Sequence, residues 1–375
     1  MRIYLDWNAT APLRSEARAA WLAAQDAAWA NPASLHQEGQ DARAACDHAR
    51  AGLAALLGAK PHELVVCSGG TEANATAIRS SVPAGGVIAA LATEHSSVLR
   101  NAAAVGTVVS IPVDGVGRAL PAAVAAAAMG AELVCLQVAN NEIGTVQDLP
   151  ALTHAVRATA PTALILADAC QLAGKLPLDL PALGADLVSL AAHKWGGPKG
   201  IGFLWVRPGV RLTPLLGGGR QQQDRRSGTE DAALQSVAHV ALAAAVAALP
   251  SEVPRQRALI EDLWQRLSTA LPALVRLGAG DLPNTLAVVH PGLTGEALVQ
   301  RCDLAGLAIS KGAACMAARG GPSHVAAALG LPPGLAQGMI RLSLGHGTRG
   351  DDIAAAAVII AQQVNALTRR NESLS

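Results

Sequence analysis

The stretch ADLVSLAAHKWGGPKG, residues 185–200, is an apolar run that ends on His193-Lys194 and passes into a glycine-rich turn. An amine at the end of a buried strand is expensive to desolvate unless its charge is used. Burial lowers the pKa of such an amine and favours the neutral nucleophile that forms a Schiff base with an aldehyde cofactor. Taken alone, the segment suits a surface lysine snorkelling out of a turn better. Asp168, which closes the run ALILAD at 163–168, reverses that reading. Pyridoxal phosphate acts as an electron sink only while its pyridine nitrogen stays protonated, and a fixed carboxylate against that nitrogen keeps it so.

Outward from this pair, the chain between residues 63 and 206 alternates short apolar runs with longer Ala/Leu-rich stretches of helical character. The runs are ELVVC (63–67), GGVIAAL (85–91), GTVVSIPV (106–113), ELVCLQV (132–138), ALILAD, ADLVSL (185–190) and GIGFLWV (200–206). Such alternation predicts an α/β domain on a mainly parallel seven-stranded sheet. Ligands of open α/β sheets sit beyond the carboxyl ends of the strands. That rule selects Asn140 and Asn141, Asp168, and His193 with Lys194. A further element, SGGTEAN (68–74), follows LVVC and opens an Ala-rich helix. Its free N–H groups, glycines and Thr71 hydroxyl could cradle a phosphate, or could simply cap the helix.

Segment 215–226, LLGGGRQQQDRR, is expected to be an extended loop before a long helix. The break at PSEVP (250–254) is the candidate domain boundary. The expected organisation is an N-terminal segment 1–15 packing with the smaller domain, a large domain 16–250, and a smaller α+β C-terminal domain 251–375. No internal repeat is evident.

With 375 residues and 51% hydrophobic content the chain can bury a large core. A formal charge of +1 and 2% aromatic residues argue against nucleic acid as a partner, since neither a polyanion field nor stacking surface is present. MRIYLDWNATAPL (1–13) reaches Asp6 and Asn8 before any signal-like apolar run, so a cytoplasmic protein is expected. Residues 232–249 are long and apolar enough to span a bilayer. Their alanine content, with Gln235, Ser236 and His239, points instead to a buried or interface helix, with no membrane partner. The six cysteines show no C-x-x-C pair and no close His cluster, so neither a disulfide framework nor a metal site is expected.

The chain is similar nearly end to end to the cysteine desulfurases, fold-type I pyridoxal-phosphate enzymes of the class V aminotransferase group. The resemblance is carried by YLDWNATAP (4–12), NPASLHQEG (31–39), SGGTEAN, TEHSSVL (93–99), ANNEIGTVQ (139–147), DACQLAGK (168–175), AHKWGGPKG (192–200), RRSGTED (225–231), GAACMAARGGPSHV (312–325) and RLSLGHGT (341–348). It implies that Lys194 forms the internal aldimine, Asp168 holds the pyridinium nitrogen, and His95 stacks on the ring and helps move protons. Asn141 and Gln171 would reach the phenolic oxygen and neighbouring substrate atoms. Gly70, Thr71 and His193 would bind the phosphate, and Thr229 would reach the phosphate of the neighbouring subunit in a homodimer. Arg341 would clamp the carboxylate of L-cysteine. Cys315, in a Gly/Ala-rich segment, would take the substrate sulfur as a persulfide and pass it to an iron-sulfur scaffold or another acceptor protein. Cys302, in ALVQRCDLAG, is the less suitable thiol. Six residues separate Cys315 from Pro322, as in the long-loop branch serving iron-sulfur assembly and nitrogen fixation, and His324 leans toward the latter.

Five positions, in three segments, depart from the pattern. Ala191 stands where S-x-H-K would place a phosphate-binding serine. Gln222, Gln223 and Asp224 replace Glu-Arg-Gly in the loop before Thr229. Lys311 replaces a small residue, where its charge could favour the Cys315 thiolate. A related pyridoxal-phosphate lyase or aminotransferase on another amino acid is the second reading, opposed by Cys315. A non-catalytic scaffold is the third, opposed by retention of Lys194, Asp168, His95, Arg341 and Cys315.

Overall fold

The structure, a computed structural model, describes residues 2–312, 321 and 323–372. The strands are β1 (Ile3–Tyr4), β2 (Leu64–Cys67), β3 (Val87–Leu91), β4 (Thr107–Ile111), β5 (Leu133–Gln137), β6 (Leu164–Asp168), β7 (Leu187–Ala191), β8 (Gly202–Val206), β9 (Val275–Leu277), β10 (Thr285–Val289), β11 (Leu307–Ala308) and β12 (Met339–Ser343). All seven apolar runs are strands of one sheet, ordered β2-β8-β7-β6-β5-β3-β4. The pairs among β7, β6, β5, β3 and β4 are parallel, and β8 runs antiparallel to both β2 and β7. This is the mainly parallel α/β sheet of fold-type I. Strands β2, β5, β7 and β8 are buried along their whole length. Burial on both faces explains why these runs read as continuous apolar stretches rather than alternating ones.

A three-stranded antiparallel sheet, β12-β10-β9, stands apart from the large one, and β1 pairs in parallel with β11. Two of the apolar clusters meet along the helix Ala232–Ala270. Val237, Ala238, Ala241, Leu242 and Ala245 pack into the core around the large sheet. Ile260, Leu263 and Leu267 pack with Ile3, Leu5, Leu286, Leu342 and Ile353. The apolar first half of this helix thus packs on the large-sheet core, and its second half on the core of the smaller sheet. The helix runs through Pro250 and Pro254, so the expected boundary at 250–254 falls inside it.

The polar loop before this helix contains one short turn, Gln221–Asp224, in which Gln222, Gln223 and Asp224 have φ of 52°, 60° and 63°. Side chains avoid this left-handed region, at about 1–2 kcal/mol per residue. The turn delivers the buried Gln222 amide to the edge of β2. Its Oε1 accepts from Val66 N at 2.6 Å and its Nε2 donates to Val66 O at 3.1 Å, so the side chain stands in for a neighbouring strand. Gln222→Ala is expected to leave both Val66 groups unpaired and to destabilise the protein by about 1–3 kcal/mol. Denaturant unfolding measures this directly, and an unchanged midpoint would contradict the role given to Gln222.

Candidate active site

A cavity of about 290 Å³ opens at the carboxyl edge of the large sheet. Four strand ends supply its polar wall: β3 leads to His95, β5 to Asn141, β6 ends on Asp168, and β7 leads to His193 and Lys194. The helix Gly70–Ser81 presents Gly70, Thr71 and Asn74 from one side. Asn8, Gly312, His324 and Arg341, distant in the chain, complete the lining. The cavity thus brings together Lys194, Asp168, Gln171, His95, Gly70, Thr71, Asn141, His193 and Arg341 of the expected set.

Asp168 is held from behind. Its Oδ1 accepts from Cys170 N at 3.0 Å and its Oδ2 from Asn74 Nδ2 at 2.9 Å. The other Asn74 N–H reaches Ser97 Oγ at 3.0 Å, and Ser97 Oγ lies 2.8 Å from His95 Nδ1. His95 also caps the helix Ser96–Val105, accepting Ser97 N at its Nδ1. With Nδ1 an acceptor, the ring proton belongs on Nε2. Burial, with Lys194 and His324 assisting against the pull of Asp168, lowers the His95 pKa, which keeps this tautomer neutral. Behind this chain, burial and then the Asp168 charge push the Glu94 carboxyl well above its ordinary value, against the opposing pull of the Gln137 and His95 backbone N–H groups. Burial thus favours the uncharged acid at Glu94.

Lys194 Nζ donates to the carbonyls of Asn8 at 2.7 Å and Ala9 at 2.9 Å. Gln171 Nε2 donates to the same Asn8 carbonyl at 2.9 Å. His193 Nδ1 lies 3.1 Å from Thr10 Oγ1. Burial first, then the neighbouring Lys194 and Lys199, lower the His193 pKa to about 4, so any anion it meets at neutral pH is met by an uncharged N–H. The first N–H groups of a helix have no intrahelical acceptor, and here they belong to Gly70 and Thr71. A Cβ on Gly70 would stand 2.5 Å from Cys170 Sγ, so glycine is what lets this helix start approach the ends of β6 and β7.

Arg341 is 2% exposed. Its guanidinium donates to Asp6 Oδ1 at 2.5 Å and to Asn141 O at 2.9 Å, while its Nε has no partner. Glu142, between Arg341 and His324, accepts from Ser323 Oγ at 2.6 Å, and burial raises its carboxyl. Asn140, marked by its position after a strand, is structural. Its Oδ1 accepts from Glu142 N and Ile143 N, and its Nδ2 donates to Thr93 O.

Thr229 is exposed and lies outside the cavity lining. Cys315 lies outside the described residues. The described cysteines are all buried, and burial raises each thiol, Cys46 and Cys302 to about 12. Cys170 lines the cavity, yet burial and Asp168 keep its thiol protonated. Lys311 pairs with Glu296 at 3.1 Å. Asn8, Asn74, Glu94, Glu142 and Lys175 were not singled out in the sequence. Their presence inside the quoted motifs YLDWNATAP, SGGTEAN, TEHSSVL, ANNEIGTVQ and DACQLAGK was the available signal.

Residues 3–355 match the aminotransferase class-V model, and the chain belongs to that family. Within it, the chain is 40% identical over 364 residues to a cysteine desulfurase of Cereibacter sphaeroides, covering 94% of this chain and 93% of that one. It is 33% identical to the cysteine desulfurase IscS of Dictyoglomus turgidum, covering 94% and 91%. Among solved structures, a NifS-like protein superposes with a TM-score of 0.91 at 28% identity, covering 97% of this chain and all of that one. SspA in complex with cysteine superposes with a TM-score of 0.78 at 29% identity, covering 91% and 98%.

The His193 shift has a sign. With the folded pKa about 4 and the ordinary value 6.5, the folded chain binds fewer protons between these limits, so stability is lost as pH falls through that window. Denaturant unfolding of the cofactor-free protein at pH 7, 5.5 and 4.5 should show that decline, and His193→Asn should make it shallower. An equally steep decline in the variant would contradict the buried neutral histidine.

Proposed function

We propose that the protein is a pyridoxal-phosphate-dependent cysteine desulfurase that converts L-cysteine to L-alanine and transfers the sulfur to Cys315 as a persulfide. The observation that carries this reading is the convergence, on one cavity, of an amine, a carboxylate fixed from behind, a helix N-terminus and a buried guanidinium. The set fits pyridoxal phosphate at both of its charged ends. The Gly70 and Thr71 N–H groups, the Thr71 hydroxyl and neutral His193 suit the phosphate. Asp168, with both oxygens already engaged on the protein side, suits the pyridinium nitrogen. Bound here, the cofactor supplies the electron sink for a carbanion at the substrate α-carbon.

The remaining work belongs to the chain. Lys194 would hold the cofactor covalently, and its amine would move off the Asn8 and Ala9 carbonyls to do so. His95 would lie against the ring and present its Nε2–H toward the reacting atoms. Asn141 and Gln171 would reach the phenolic oxygen and nearby substrate atoms. Arg341 would meet the substrate carboxylate, held in place by Asp6 and the Asn141 carbonyl. Ala191 lines the phosphate end and offers no hydroxyl. A missing charge-assisted hydrogen bond there is worth about 1.5–3 kcal/mol of cofactor binding.

The sulfur step balances without an external oxidant. The Cys315 thiolate attacks the substrate sulfur and the carbon–sulfur bond breaks. The bonding pair stays with the substrate β-carbon, which takes up a proton to become alanine. Cys315 then carries S–S–H, and an acceptor protein or a thiol reductant removes the outer sulfur. The raised thiols of the described cysteines leave them unsuited to this role.

We also infer a homodimer in which Thr229 reaches the neighbouring subunit's phosphate, and a division into a segment 1–15, a large domain 16–250 and a smaller domain 251–375. A cytoplasmic setting and an iron-sulfur scaffold as acceptor agree with the resemblance to enzymes of that branch. Cys315→Ala is the test. It should keep the visible absorption of bound cofactor and its response to cysteine, while alanine formation falls by at least about 100-fold, as for loss of a nucleophile. Full alanine formation by the variant would favour a lyase or aminotransferase acting on another amino acid.

A further inference from the structure

Lys175 is a second amine beside the site, four residues after Gln171, and none of the roles above uses it. Its Nζ donates to Gln171 Oε1 at 2.5 Å and to Asn8 Oδ1 at 2.7 Å. Both acceptors are neutral amide oxygens. A neutral amine has two N–H donors, and these two acceptors use both of them. An ammonium would bring a third N–H, for which no acceptor is found among the described residues. Burial, then the neighbouring charges of Lys194 and Arg341, push its amine well below the usual lysine range. Geometry and electrostatics therefore agree on an uncharged amine.

The consequence lies in what the two acceptors do next. An amide has one oxygen and one nitrogen end, and a carbonyl can only accept. Because Lys175 takes the Gln171 oxygen, the Gln171 nitrogen is the end that faces the Asn8 carbonyl, at 2.9 Å. That same carbonyl holds Lys194 Nζ. On its other side, Asn8 Oδ1 also accepts from Asn284 Nδ2 at 3.1 Å, and Asn8 Nδ2 donates to Thr285 Oγ1 at 2.9 Å and Asn141 O at 3.2 Å. One amine thus joins the two side-chain amides, fixing their orientation together with Asn284 and Thr285 on the Asn8 side and the Asn8 carbonyl on the Gln171 side.

We infer that Lys175 is a positioning residue of the desulfurase reaction, its amine locking the Gln171 amide and the Asn8 side chain in the orientation that the cofactor site requires. The inference rests on the reading of Lys194 and Gln171 as cofactor-facing residues. Lys175 touches neither substrate nor cofactor in this account and acts through its two amide partners.

The test uses the enzyme reconstituted with pyridoxal phosphate and two readouts: kcat and KM for alanine formation, and the pH midpoint of the bound cofactor's visible absorption. Lys175→Met keeps the stem and removes both donors. It should lower kcat by about tenfold or more with KM changed less than about threefold, and it should move the absorption midpoint. Lys175→Gln, which keeps N–H donors on a shorter arm, should recover part of the loss, and it carries the comparison where the methionine variant does not fold. In the double variant with Gln171→Met, the loss should be smaller than the product of the two single losses, because the lysine acts in part through that amide. A lysine variant with kcat within about twofold of wild type and an unmoved absorption midpoint would overturn the inference. Losses that multiply in the double variant would overturn it as well. Wild-type protein that shows neither cofactor absorption nor alanine formation would overturn both this inference and the reading it rests on.

Discussion

A lysine amine at the carboxyl end of a fully buried strand must find acceptors, and the fold supplies them from the far end of the chain. Lys194 follows β7, buried along its whole length, and its Nζ reaches the backbone carbonyls of Asn8 and Ala9. Those two residues are placed by the pairing of β1 with β11, the Asp6–Ser343 bridge and the hydrogen bond from Asn8 N to Ser343 Oγ. The N-terminal segment therefore ties the large sheet to the β12-β10-β9 sheet at the point where the Lys194 amine stands. Without that tie the cavity would lose one wall, and the Lys194 amine would lose the Asn8 and Ala9 carbonyls as acceptors.

The charge pattern follows from the same confinement. Dry surroundings suppress charge wherever it is unmatched, so His95 and His193 are neutral, Glu94 is protonated, and the thiols of the described cysteines stay as thiols. Charges persist where partners face them. Arg341 is matched by Asp6, while Asp168 is cradled by Asn74 and the Cys170 N–H. The result is a site with a carboxylate at one end, N–H donors at the other, and an amine between them. This is the distribution that an anionic phosphate and a protonated pyridine ring complement.

The large sheet was legible because its strands are buried on both faces and so appear as unbroken apolar runs. Asp168, Lys194 and His193 could be found for the same reason: each polar residue interrupts such a run where a parallel strand meets the ligand edge. The supporting residues were hidden by sequence distance. Nothing in SGGTEAN says that Asn74 bridges Asp168 and Ser97, and nothing in YLDWNATAP says that Asn8 meets Lys194, Lys175 and Asn284. The helix Ala232–Ala270 conceals its continuity because two prolines in its interior resemble a break. The glutamines at 222 and 223 read as a departure from the family pattern, whereas Gln222 closes the strand-free edge of β2 through a turn whose backbone is left-handed.

The central claim is that Lys194 is the amine that carries the cofactor. Borohydride reduction of the enzyme reconstituted with pyridoxal phosphate, followed by peptide mapping, tests it most directly. The account predicts a single pyridoxyl-modified peptide bearing the label on Lys194. Stoichiometric label on Lys175 or Lys199 with Lys194 unmodified would contradict it.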